Sequence, residues 1–263
     1  MIHEEPWPDG TPGWADLMVP DRHAAREFYG PLFGWEFDEG SPETGYYTTA
    51  TLDGHAAAGI GTPMPGTEGP PPAWTTYLAT SDAEDAAARA TAAGGTVLMP
   101  PMAVMGFGSM AVLADPTGAV VGLWQAGSHT GFDVVGDPGS VVWSEHMGTD
   151  AATARGFYTA LFDYQLVDMS GPGFVYASLK LGDREVAGVG EYGEGMPSPT
   201  GDVRPSWTTY FGVLDCDASA ALATSLGGTV LSAPEDTPYG RIAVVRGRFG
   251  ETFALLAEIP AAS

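Results

Sequence analysis

An α+β fold of four βαβββ modules, paired into two domains with curved mixed sheets and concave cups, is predicted by three observations in the 263-residue sequence. First, a strand-turn-helix stretch occurs twice: Trp14, Asp21, Phe28, Tyr29, Phe33 and Trp35 return 129 positions later as Trp143, Asp150, Phe157, Tyr158, Phe162 and Tyr164. One supersecondary unit has been used twice. Second, each half holds an inner repeat. Trp74-Thr75-Thr76-Tyr77 leads to Asp82, an Ala-rich helix and Gly94-Gly95; Trp207-Thr208-Thr209-Tyr210 leads to Asp215, a helix and Gly227-Gly228. Third, alternating, turn-punctuated segments between the helices read as strands: 46–52, 56–60, 109–114 and 119–125, answered by 174–181, 186–189, 241–246 and 252–256.

The elements follow in order. A tail over 1–12 precedes a first domain over 13–126, with modules 13–62 and 73–126. Residues 127–140 read as a linker, 141–258 as a second domain with modules 141–192 and 205–258, and 259–263 as a tail. The turn aspartates open helices, and the glycines close them because the chain leaves a helix most easily at positive φ. Pro100 to Gly108, rich in Met, Gly and Phe, reads as an adaptable loop at a cup mouth, and 233–240 as its acidic counterpart.

Composition narrows the functions. With 44% apolar and 16% charged residues, the chain is globular rather than disordered. Ten basic against 33 acidic residues give a formal charge of −23, which argues against nucleic-acid or anionic-membrane partners. No apolar stretch approaches the ~20 residues of a membrane span. The lone Cys216 fits a reducing compartment, and with no visible signal segment a cytoplasmic location is expected.

With Phe28-Tyr29-Gly30-Pro31-Leu32-Phe33-Gly34-Trp35, the Gly94-Gly95 helix end and Asp115-Pro116-Thr117-Gly118 in place, the sequence resembles the vicinal oxygen chelate superfamily of glyoxalase I, bleomycin-resistance proteins and extradiol dioxygenases. The tandem layout is most similar to an actinobacterial two-domain branch labelled glyoxalase-like, hydroxylase or secreted antigen. The resemblance implies a metal-ligand place in each of four strands per domain. In this sequence those places hold Trp14, Gly59, Thr75 and Gly122, then Trp143, Gly188, Thr208 and Ala254. None is a usual metal ligand, so neither a metal nor another cofactor is expected.

Side chains two apart on a strand share a face. If the places of Trp14 and Trp143 face the cups, as the resemblance implies, then Asp16, Met18, Glu145 and Met147 face them too. Trp124 joins the first cup, and Phe107 sits at its mouth. Trp14, Met18, Trp124, Trp143, Met147 and Phe107 are therefore the candidate ligand-binding residues, and Asp16 and Glu145 the candidate acid/base groups. The plainer alternative is that both acids are solvated at a sheet edge and both tryptophans are core. His146 has the opposite parity and is expected to pack structurally; Cys216 is expected to be inert.

Three functions fit: a binding cup for a hydrophobic or aromatic small molecule, a metal-independent lyase, isomerase, cyclase or hydroxylase-like enzyme using Asp16 or Glu145, or a scaffold whose cups are filled by side chains. The two domains are expected to pair as an intramolecular pseudo-dimer.

Overall fold

The computed structural model describes residues 2–63 and 71–258. The first half contains β1 (Pro12–Met18), α1 (Arg22–Phe33), β2 (Glu36–Phe37), β3 (Thr48–Leu52), β4 (His55–Gly61), β5 (Trp74–Ala79), α2 (Ala83–Ala92), β6 (Thr96–Val104), β7 (Gly108–Ala114) and β8 (Val120–Ala126). The second repeats it as β9 (Val141–Gly148), α3 (Ala151–Leu161), β10 (Gln165–Asp168), β11 (Val175–Leu181), β12 (Arg184–Glu191), β13 (Ser206–Gly212), α4 (Cys216–Ser225), β14 (Thr229–Thr237), β15 (Gly240–Arg246) and β16 (Thr252–Ala257). The four helices start alike. Asp21, Asp82, Asp150 and Asp215 each accept the backbone N–H three residues on, at 3.0 Å. Such a cap stabilises a helix by about 1 kcal/mol.

The result is the expected α+β arrangement of two eight-stranded mixed sheets, ordered β2-β3-β4-β1-β5-β8-β7-β6 and β10-β11-β12-β9-β13-β16-β15-β14. In each sheet two modules meet along one antiparallel seam, β1 with β5 and β9 with β13, while β1–β4, β5–β8, β9–β12 and β13–β16 run parallel. Among the described residues no helix is long and apolar enough to cross a membrane.

One local expectation is corrected. Most of 100–108 is strand, with β6 continuing through Pro100 and Pro101 to Val104, and β14 likewise takes up 233–237. Both are edge strands, where a proline's missing N–H breaks no ladder, and the pairing of β6 with β7 slips around the prolines. Phe107 lies in the hairpin turn that follows.

The halves cross-pack. Modules of opposite halves share each hydrophobic core, α1 with the β13–β16 module and α3 with the β5–β8 module. Trp74 donates to the Tyr29 hydroxyl at 3.2 Å, and Tyr29 donates to Glu251 of the other half at 2.5 Å. The mirror relay runs from Trp207 to Tyr158 at 2.7 Å and from Tyr158 to Asp115 at 3.0 Å. Between them the Thr76 and Thr209 hydroxyls meet at 3.4 Å. The double glycines fit this packing. Gly94 takes a left-handed φ of +91°, and a Cβ at Gly95 would lie 2.7 Å from Phe157 of the other half.

Segments 2–12 and 127–140 are docked. Trp7 donates to the Phe132 carbonyl at 3.1 Å, and Phe132 and Val134 are buried.

Candidate functional site

Period two holds along β1 and β9. Asp16 pairs with Gly59 and Thr75, and Trp14 with Tyr77, so these share the concave face of the first sheet. Glu145 pairs with Gly188 and Thr208, and Trp143 with Tyr210, in the second. Each carboxylate meets two phenols that the sequence reading did not single out.

In the first cup Tyr47 and Tyr77 donate to Asp16 Oδ2 at 3.3 and 3.2 Å, and Trp14 donates to the Tyr47 hydroxyl at 2.9 Å. In the second, Tyr176 and Tyr210 donate to Glu145 at 2.9 and 2.5 Å, and Trp143 donates to Tyr176 at 3.0 Å. A signal for these tyrosines is present in the repeat. Tyr47 and Tyr176 are 129 positions apart, and Tyr77 and Tyr210 are 133 apart.

Glycines make the arrangement sterically feasible. A Cβ at Gly59 would stand 1.7 Å from the Tyr47 hydroxyl, and one at Gly188 would stand 1.8 Å from that of Tyr176. At Gly122 it would meet the Tyr77 ring at 2.1 Å. Three places that hold metal ligands in the resemblance are thus glycines whose space is taken by phenols. The residues present do not fit a divalent ion there. Among the described residues no group of three or more His, Cys, Asp or Glu side chains is placed to hold one.

The cups differ in filling. In the first, Trp14, Asp16, Tyr77 and Trp124 are all under a tenth exposed. His129 packs edge-on against Trp14 at 4.4 Å between ring centroids, Phe132 lies against Trp14 at 5.3 Å, and Trp124 donates to the His129 carbonyl at 3.0 Å. His129, expected in a linker, thus helps plug this cup. Met18 and Phe107 stay exposed at its margin.

The second cup is open. A cavity of about 1330 Å³ is lined by Trp143, Glu145, Met147, Tyr176, Tyr210 and Leu256 on the sheet, by Met169, Phe174, Tyr192 and Met196 on one side, and by Tyr239, Ile242 and Val244 on another. Of the candidate residues, Trp143, Glu145 and Met147 line it. Trp14, Asp16, Met18, Trp124 and Phe107 do not.

Burial dominates the electrostatics. It drives the Asp16 carboxyl up to about 7, against the hydrogen bonds from Tyr77 and Tyr47. Asp16 Oδ1 is buried without a hydrogen-bond partner among the described residues, an arrangement that costs more for the charged form than for the neutral one. Burial likewise raises Glu145, against donation from Tyr210 and Tyr176, and raises those two phenols well above their usual range.

His146 is fully buried, its Nε2 3.1 Å from Asp115 at the junction of the halves. Burial pushes Asp115 up, but bonds from His146, Thr117 and Tyr158 outweigh it and hold the carboxyl below its usual range. The Cys216 thiol is pushed up to about 11, by burial first and then by Asp217, which makes it a poor nucleophile.

Known proteins place this geometry in context. A model of the Glyoxalase/Bleomycin resistance protein/Dioxygenase superfamily matches residues 11–123. DauV of Streptomyces sp. (strain C5), named an anthracycline biosynthesis protein, is 42% identical over 260 residues, covering 94% of this chain and 93% of its own. CFP32 of Mycobacterium tuberculosis (strain CDC 1551 / Oshkosh), named provisionally as a glyoxylase, is 40% identical over 256 residues, covering 95% and 96%. Among solved structures, the Mn(II)-bound glyoxalase of Novosphingobium aromaticivorans matches with a TM-score of 0.65 at 15% identity, covering 95% of this chain and 82% of its own, a likeness of fold. The chain belongs to the glyoxalase, bleomycin resistance protein and dioxygenase superfamily.

Proposed function

We propose that the second domain binds a flat, phenol-bearing polycyclic aromatic molecule in its cup without a metal ion, with Glu145 as the polar anchor. The observation that carries this is Glu145 on the floor of an open cavity, fixed by Tyr176 and Tyr210 and walled by Trp143, Tyr192 and methionines. Large apolar cavities with a few converging polar groups are the usual form of a small-molecule site. Indole and phenol faces suit offset stacking on fused rings, and methionine adapts to their outline. The relation to DauV supports a ligand of the anthracycline kind, a fused quinone carrying phenols. The first domain serves as the packed counterpart that completes the fold, and the two halves act as an intramolecular pseudo-dimer.

A second reading is favoured by the state of Glu145. A carboxyl raised by burial and held by two phenols is placed to take a proton from a ligand phenol or an acidic C–H and return it, which suits an isomerase or cyclase. Asp16, in the packed cup, suits that role less.

Native mass spectrometry and metal analysis of purified protein, followed by titration with 1,8-dihydroxyanthraquinone read by tryptophan fluorescence, test the proposal. Saturable quenching in metal-free protein, weakened in Glu145→Gln, is expected. A stoichiometric metal required for binding, or no binding, would overturn it.

A further inference from the structure

Among the charged side chains that line the second cup, Glu185 and Arg246 have neither a side-chain hydrogen bond nor an ion-pair partner among the described residues, and Arg246 is the cation of the two. Arg246 ends β15 on the same face as Val244 and Ile242, is exposed, and lines the cavity. Five other arginines have acidic partners: Arg204, also at the cavity, meets Asp202 at 2.5 Å, Arg241 meets Asp217 and Asp236, Arg26 meets Glu39, Arg89 meets Asp85, and Arg248 meets Glu27. Arg22 and Arg155 bond backbone carbonyls, and Arg184 lies over the Trp7 ring. The Arg246 guanidinium has no hydrogen-bond or ion-pair partner among the described residues, in a chain with 33 acidic residues. An unpaired guanidinium in so acidic a protein is a cation held ready for an anion from outside.

Its position relative to Glu145 follows from register. Glu145 pairs with Thr208 on β13, and Arg246 with Thr252 on β16. Continuing the parallel pairing Tyr210–Ala254 by two residues sets Thr208 beside Thr252. A single polar row thus crosses the concave face, with Glu145 at one end, Arg246 at the other and two threonines between. Three strand spacings separate the ends, roughly 14 Å along the sheet and less across the curve. Linearly fused rings match that span.

We propose that Arg246 binds a carboxylate at the end of the ligand opposite the phenol that meets Glu145, so that the preferred ligand is a fused aromatic bearing both groups. This rests on the second cup being the ligand site. The acceptor end selects a donor and the guanidinium selects an anion. A ligand turned end for end would set its carboxylate against Glu145, so the row also fixes orientation.

The test uses two probes, 4,5-dihydroxyanthraquinone-2-carboxylic acid and neutral 1,8-dihydroxyanthraquinone, titrated into the wild type, Arg246→Met and Glu145→Gln. Arg246→Met is expected to weaken the carboxylate probe about tenfold or more and the neutral probe less than about twofold. Glu145→Gln is expected to weaken both. Equal affinities of the Met variant and wild type for the carboxylate probe, or equal losses for both probes, would overturn the role of Arg246 while leaving the cup as a site. Failure of both probes to bind the wild type would overturn both. Because Arg246 is exposed, its substitution leaves the fold intact, which near-ultraviolet circular dichroism checks.

Discussion

The Tyr176 hydroxyl donates to Glu145 at 2.9 Å from the space that any side chain at position 188 would occupy. A glycine and a tyrosine from adjoining segments together fill the place that the family resemblance gives to a ligand side chain, and the same exchange relates Gly59 and Tyr47, which directly precedes β3.

Adding a methyl group at either glycine tests that exchange. Gly188→Ala puts a Cβ into the Tyr176 hydroxyl and is expected to displace the phenol, costing about 1–3 kcal/mol of stability and weakening aromatic probes. Gly59→Ala, in the packed cup, is expected to cost as much stability while leaving probe affinity within about twofold. Denaturant unfolding and fluorescence titration measure the two effects; equal losses of affinity in both variants would contradict the division of roles.

Asp16 makes stability depend on pH in a definite direction. Its folded pKa of about 7 lies above the ordinary 3.8, so the folded state holds the proton more tightly. The favourable contribution is present below the unfolded value and is lost as pH rises from there through the folded one. A gap of this size corresponds to at most about 4 kcal/mol. Asp16→Asn has no charge to bury, so it is expected to gain on the wild type in unfolding free energy between acid and mildly alkaline pH. Parallel curves would contradict the burial of an ionisable carboxyl there.

Glu145 gives a related dependence in binding. Its pKa is raised by burial, and the phenols around it, Tyr176, Tyr210 and Tyr192, are raised also, so the carboxyl ionises first. Affinity for a neutral phenolic probe is expected to rise as pH increases through the raised Glu145 pKa, because only the carboxylate accepts freely. In Glu145→Gln the affinity is expected to be lower and flat over the same range. A wild-type profile that is flat too would remove Glu145 from the binding account.

The two cross-half relays provide a stability test. Tyr158→Phe leaves Trp207 Nε1 without its acceptor and removes one donor to Asp115, an expected loss of about 1–3 kcal/mol. Tyr29→Phe, which does the same to Trp74 and Glu251, is expected to lose a similar amount. Phe211→Ala, in the aromatic core around Trp35, Trp74 and Phe253, is expected to lose about 3–5 kcal/mol. Loss of near-ultraviolet signal from one half alone would contradict a shared core.

Much of this was legible in the residues. The 129-position repeat and the turn aspartates announced the modules, and strand parity put Trp14, Asp16, Trp143 and Glu145 on concave faces. The tyrosines were less legible because their strands lie far from Asp16 and Glu145 in sequence, and only the sheet register brings them together. Pro100 to Gly108 reads as loop from its Met, Gly and Phe content, and the edge position that lets a strand carry Pro100 and Pro101 is a property of sheet order. Least legible was the difference between the cups. Both carry Trp, an acid and two tyrosines; the first is closed in part by His129 and Phe132, from a segment whose composition reads as connector.

The most direct test of the central claim is the stoichiometry of binding to chelator-treated protein. Isothermal titration with 1,8-dihydroxyanthraquinone is predicted to give one site per chain, unchanged by added divalent metal and much weakened in Glu145→Gln. Two equivalent sites, or binding that returns only when a metal is restored, would contradict a single metal-free cup in the second domain.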